Sequence, residues 1–166
     1  MTQPETAVQR ADPAAPGFRY TRKIHFYETD LAGVVHFSNY FRYMEEAEHA
    51  LWRAAGLTVD RAGADVGYPR VSATFDYRSP LFFEDELTIV VRVHAITRRT
   101  IRFSFEFSRH GAAIGTGWLT TACATRQEDG SMRATEIPGD VVPRLCTAAG
   151  QTVTINRDAQ SQSEAI

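Results

Sequence analysis

The sequence predicts an α+β domain, a curved antiparallel sheet wrapped around one long central helix, and three observations carry that prediction. Apolar residues from Phe37 to Ala55 recur every three or four positions, the spacing of one face of a helix. Past Gly56 the period changes to two and holds through three or four consecutive segments, as in half-buried strands joined by tight turns. One further strand-like segment precedes the helix. The order is therefore strand, long helix, then a run of strands, which suits a helix packed on an antiparallel sheet.

The first strand is placed at 18–27, where Phe, Tyr and Ile mixed with Arg, Lys and His imply partial exposure. The helix stripe is Phe37, Tyr40, Phe41, Met44, Ala47, Leu51, Trp52 and Ala55, wide enough to need a broad apolar surface. Ser38 or Asn39 is expected to cap its start, since either side chain accepts from a backbone N–H two or three residues on, and Gly56 to stop it. Strands are expected with Val71, Ala73, Phe75 and Tyr77 on one face, then Leu87, Ile89, Val91 and Val93, then Ile101, Phe103, Phe105 and Phe107. Turns fall at 97–99 and at His110-Gly111. The segment AAIGTGWLTTACAT, ending at Thr125, is small and apolar on both faces, so a further surface is expected over its second face. Short helices are expected at 59–64 and 137–146, the latter with Pro138 in its first turn. Polar, aperiodic ends at 1–16 and 148–166 are expected to be mobile tails, leaving one domain over 17–147.

Composition narrows the function. A chain of 166 residues, 43% hydrophobic and 23% charged, is long enough for one sizeable core and short for two. The net charge of −2 offers no global basic field for nucleic acid or an anionic membrane surface. Two cysteines, Cys123 and Cys146, are too few for a disulfide framework, and no Cys/His spacing fits a metal site, so a cytoplasmic setting without metal or other cofactor is expected. There is no apolar leader core, no run long enough to span a membrane, no Gly-rich phosphate loop and no internal repeat.

The chemistry is concentrated just ahead of the helix. The pattern Asp30-x-Ala-Gly-Val-Val-x-x-x-Asn-Tyr, followed by FRYMEEAEHALWRAAG and later by FDYRSPLFFEDEL, resembles the hotdog-fold acyl-CoA thioesterases of the 4-hydroxybenzoyl-CoA thioesterase family, over about residues 19–126. The resemblance implies thioester hydrolysis to a carboxylic acid and a thiol. Asp30 matches the catalytic carboxylate, as nucleophile forming a mixed anhydride or as general base on a water. The backbone N–H matching the oxyanion donor is that of Phe37, where one preorganised donor contributes roughly 2.7–4 kcal/mol of barrier. The first N–H groups of a helix lack intrahelical partners and carry partial positive charge, and Gly33 lets the backbone fold closely enough to aim them at the same carbonyl.

Competing interpretations attach to each residue. An Asp before a helix often serves only as cap or dipole partner. His36 and Asn39 flank the site, but a thiol with a pKa of about 8.5 leaves without much protonation, so His36 is not required as an acid. Tyr40, with Phe37, Phe75 and Phe82, suits a pocket for a ring or an alkyl chain, or the core equally. Among the helix acids Glu48 is a second carboxylate candidate; Glu45 and Glu48 suit a dimer contact and Glu46 is expected to be solvated. Arg98 and Arg99 are a charged hairpin tip that, by the resemblance, meets the phosphates of coenzyme A. The remaining histidines have no metal or triad spacing. A sheet with free edges is expected to pair into a homodimer, and further into a dimer of dimers (a homotetramer). Two rival functions remain at this point: a non-catalytic acyl-thioester-binding or carrier-protein-docking module, and a hotdog hydratase. Against the first stands the cost of a carboxylate placed beside an apolar pocket without a use. The acyl group, and whether the thiol is CoA or an acyl-carrier-protein arm, stay open.

Overall fold

The computed structural model of the chain describes residues 16–59 and 66–152. Its elements are β1 (Phe18–Lys23), a 3-10 turn (Phe26–Glu28), α1 (Asn39–Ala54), β2 (Arg70–Tyr77), β3 (Glu86–Ile96), β4 (Thr100–Arg109), β5 (Ala112–Ala122), β6 (Ala124–Arg126), β7 (Met132–Ala134) and α2 (Val141–Ala148). Five strands form one antiparallel sheet in the order β1-β3-β4-β5-β2, with β1 and β2 as its edges. The sheet curves around α1, the hotdog arrangement expected from the sequence.

The core follows from the two periods. Leu87, Ile89 and Val91 of β3 and Ile101, Phe103, Phe105 and Phe107 of β4 are buried on the face that meets Tyr40, Tyr43, Met44, Ala47, Leu51 and Trp52 of α1. Each such fully buried apolar side chain contributes about 1.5–3 kcal/mol relative to exposure. Glycine in β5 lets the layers approach: a Cβ at Gly117 would collide with Sδ of Met44, and one at Gly115 would stand 2.5 Å from Cε1 of Phe75. Gly56, at φ +68°, ends α1 as expected.

Several expectations are corrected. β1 stops at Lys23, because the chain tightens into the 3-10 turn and turns Phe26 and Tyr27 outward. α1 begins at Asn39, leaving Phe37 ahead of it and 64% exposed. Neither expected cap forms: Ser38 is itself helical at φ −69°, ψ −23°, so its hydroxyl meets Nδ1 of His36 at 2.8 Å, while the Asn39 amide donates to the Glu28 carbonyl at 2.8 Å. In β2, an edge strand, only Phe75 is buried; among the described residues Val71 stays exposed and Tyr77 half-exposed, its ring packed on one side by Tyr40 and Phe75. Among the described residues no second layer covers β5; Trp118 is packed by its own sheet, under the Arg102 guanidinium at 4.7 Å and against the His94 ring at 4.6 Å. The chain breaks at Cys123 into the separate β6–β7 hairpin. α2 starts at Val141 rather than 137.

The expected helix at 59–64 lies almost entirely outside the described residues, as do most of the two tails. The C-terminal packing reaches past 147: Ala149 is buried, and the Gln151 amide both accepts from Val93 N–H at 2.9 Å and donates to its carbonyl at 3.0 Å.

Candidate active site

Between the 3-10 turn and α1 the chain makes a tight hairpin with Asp30 at its tip. Thr29 pairs with Val35, Asp30 N–H donates to the Val34 carbonyl at 2.8 Å, and Gly33 N–H donates to the Asp30 carbonyl at 2.9 Å. Gly33 adopts φ +77°, a conformation that costs other residues steric strain. One Asp30 carboxylate oxygen accepts from Ala32 N–H at 2.8 Å, and the other has no partner among the described residues. The hairpin is anchored on the segment before β3: Val35 N–H donates to the Leu81 carbonyl at 2.8 Å, and Val34 pairs with Phe82.

Asp30 lines an open depression together with Phe26, Tyr27, Thr29, Leu31, Ala32 and His36. Leu31, Tyr27 and Phe26 are largely exposed, so its rim is apolar and partly aromatic. Asp30 is itself exposed. The expected cost of a desolvated, unused carboxylate therefore does not arise in the single chain.

Phe37 stands where the hairpin becomes the helix. Among the described residues its N–H makes no hydrogen bond, while its carbonyl accepts from the Tyr77 hydroxyl at 2.8 Å. His36 N–H, one residue earlier, donates to the Glu28 carbonyl at 2.9 Å. The free N–H thus follows directly on the arm that pairs with the Asp30 arm.

Beneath the hairpin lies an ionic network. Glu28 is 7% exposed; one carboxylate oxygen accepts from His25 N–H at 2.7 Å and the other meets Nη2 of Arg22 at 2.5 Å. Nη1 of Arg22 lies 2.7 Å from both oxygens of Glu46, and the guanidinium covers the Tyr43 ring at 4.1 Å. Glu46 is therefore paired rather than simply solvated. Neither Arg22 nor Glu28 was singled out from sequence. The available signal was a charge, Arg22, in the same register as Phe18 and Tyr20 on a strand that faces the helix.

The other candidates divide. His36 shares the depression. Asn39 holds the Glu28 carbonyl and so ties helix to hairpin. Tyr40 is 3% exposed and packs among Tyr43, Phe75, Tyr77 and Phe107. Glu48 is fully buried and meets Nη2 of Arg70 at 2.6 Å; burial pushes its carboxyl up to about 7, against the pull of Arg70. Arg98 pairs with Glu136, and Arg99 donates its N–H to the Thr97 hydroxyl at 3.2 Å. Both arginines stand at the end of β3 remote from the hairpin's anchor, about 35 Å away at the rise of an extended strand. One chain does not bring them to Asp30.

Among the described residues no three His, Cys, Asp or Glu side chains group as metal ligands, both cysteines are unpaired and buried, and no helix is long and apolar enough to cross a membrane.

Residues 24–145 match the family model described as "Thioesterase-like superfamily". The chain is 29% identical over 113 residues to a 1,4-dihydroxy-2-naphthoyl-CoA hydrolase of Synechococcus elongatus, covering 66% of this chain and 83% of that protein. Among solved structures it is similar to a gentisyl-coenzyme A thioesterase, at 26% identity and TM-score 0.68 over 74% of this chain and 98% of that one. The fold is also that of a 4-hydroxybenzoyl-CoA thioesterase, at 21% identity and TM-score 0.70, with 79% and 99% covered.

Proposed function

The chain belongs to the thioesterase-like superfamily, and we propose on that premise that it hydrolyses acyl-CoA thioesters at the Asp30 hairpin. The observation that supports the placement is an exposed carboxylate in an open depression that His36 also lines, with an unpartnered N–H on the next residue, just ahead of α1. A thioester carbonyl lying between them has the Phe37 N–H directed at the oxygen, where negative charge develops. The Asp30 carboxylate then either attacks the carbonyl carbon, releasing the thiolate and leaving a mixed anhydride that water cleaves, or takes the proton of a water that attacks. Both routes end in a carboxylic acid and a thiol. Asx bonding to Ala32 holds one carboxylate oxygen and leaves the other to react.

The aromatic rim of Phe26 and Tyr27, and the aromatic acyl groups in the names of the similar proteins, support an aromatic acyl ester. The free edge of β2, with Val71 and Tyr77 exposed, supports pairing with the β2 of a second copy into a homodimer. In such an assembly, or in a dimer of dimers, Arg98 and Arg99 would serve the CoA phosphates of a site on another copy rather than their own. We place the protein in the cytoplasm, as one catalytic domain from about residue 17 to the end of the α2 packing.

Thiol release from benzoyl-, acetyl- and palmitoyl-CoA tests the proposal. Fastest turnover of the benzoyl ester is expected. Turnover confined to palmitoyl-CoA overturns the aromatic assignment, and release from none of the three overturns hydrolysis of CoA esters.

A further inference from the structure

Phe37 lies outside the regular helix, so helical hydrogen bonding does not fix the direction of its N–H. Three bonds around it do so instead: within its own peptide the His36 carbonyl accepts from Asn39 N–H at 2.9 Å, and the two flanking peptides are each held as well. On one side His36 N–H is held by the Glu28 carbonyl at 2.9 Å; on the other, the Phe37 carbonyl is held by the Tyr77 hydroxyl at 2.8 Å. The Tyr77 bond spans 40 residues of sequence and joins the last residue of an edge strand to the start of the central helix.

We infer that Tyr77 is a positioning residue for the hydrolysis: its hydroxyl clamps the Phe37 carbonyl and so holds the neighbouring N–H toward the oxyanion. This rests on the assignment of that N–H as the oxyanion donor. The ring is itself held in place. Tyr40 meets it edge-on at 5.0 Å and Phe75 packs on it at 4.8 Å. Phe75 can lie there because Gly115, the partner of Tyr77 in β5, has no side chain to displace it. A chain of contacts therefore runs from a glycine in the sheet to the peptide at the helix start. Burial raises the Tyr77 hydroxyl above its usual range, so it stays protonated as a donor at neutral pH. Because the proton is committed to Phe37, the hydroxyl is not the acid that protonates the leaving thiolate.

Tyr77→Phe removes the bond and keeps the ring. Loss of about a tenfold factor in kcat is expected, with KM changed by less than about twofold, since misdirecting one donor weakens the transition state more than the ground state. The melting temperature should stay within a few degrees of the native value. A spectroscopic readout separates positioning from general damage. In Asp30→Asn, bound benzoyl-CoA labelled with 13C at the carbonyl is expected to show its carbonyl stretch shifted to lower frequency than in water, through polarisation by the N–H. In Asp30→Asn/Tyr77→Phe that shift should shrink. A full shift in both variants, with native kcat in Tyr77→Phe, overturns the role of Tyr77 and leaves the oxyanion assignment standing. No shift even in Asp30→Asn overturns the oxyanion assignment first, and the inference with it.

Discussion

Asp30 and Glu48 are both carboxylates offered by the sequence, one at the tip of a hairpin and one in the middle of the helix that follows it. Asp30 is exposed, its carboxylate held by the backbone N–H of Ala32, with one oxygen unengaged among the described residues. Glu48 is fully buried, against Arg70 at 2.6 Å, among Trp52 and its core neighbours. The difference separates availability from perturbation. A carboxyl group pushed up to about 7 is an attractive acid–base candidate on its ionisation alone, yet among the described residues Glu48 is closed off from solvent, whereas Asp30 opens on a depression. Burial that shifts a carboxyl group can serve structure as readily as catalysis.

That contrast predicts opposite phenotypes. Glu48→Ala leaves Arg70 without its closest partner and opens space in the core, so a loss of about 3 kcal/mol in denaturant-derived stability is expected, with near-native kcat in the folded fraction. A stable Glu48→Ala protein with kcat down by about a hundredfold would reverse the assignments of the two acids.

The pH dependence is a smaller effect with a fixed sign. Because the folded chain holds the Glu48 proton more tightly than the unfolded chain, this group's contribution is full below about 4.5 and is lost as pH rises through about 7. The melting temperature of the native protein, measured relative to Glu48→Gln, should therefore be higher at pH 5 than at pH 8. A gap that is constant or widens with pH contradicts the buried, raised carboxyl.

The smallest effect belongs to Gly33→Ala. A Cβ there meets nothing within 4 Å, so only the φ of +77° opposes it. A loss of about 1 kcal/mol is expected by denaturation, with a modest change in rate. A loss several times larger would mean that the hairpin has tighter surroundings than the chain itself supplies.

Much of this architecture was legible from periodicity. The Ile101 to Phe107 alternation and the Leu87 to Val93 alternation are core faces because those strands lie inside the sheet, where period two maps directly onto burial. The same pattern at Val71 and Tyr77 leaves both exposed, since alternation does not reveal which strand is an edge. The position of Asp30 ahead of a helix was readable from its local motif. The support under it was not: Arg22, Glu28 and Glu46 come from three separate elements, and Tyr77 reaches Phe37 across 40 residues. Such long-range pairing leaves no spacing in the sequence. Helix periodicity puts Tyr40 and Glu48 on the inward face without saying whether a cavity or a packed core lies there, and in the single chain both are buried.

The most direct test of the central claim is thiol release from the preferred acyl-CoA by the native protein and Asp30→Asn, with melting curves recorded for both. Asp30→Asn is expected to melt close to the native temperature and to lose about a hundredfold or more in kcat/KM. An Asp30→Asn protein that turns over within a few-fold of native would contradict that claim and place the reactive carboxylate elsewhere.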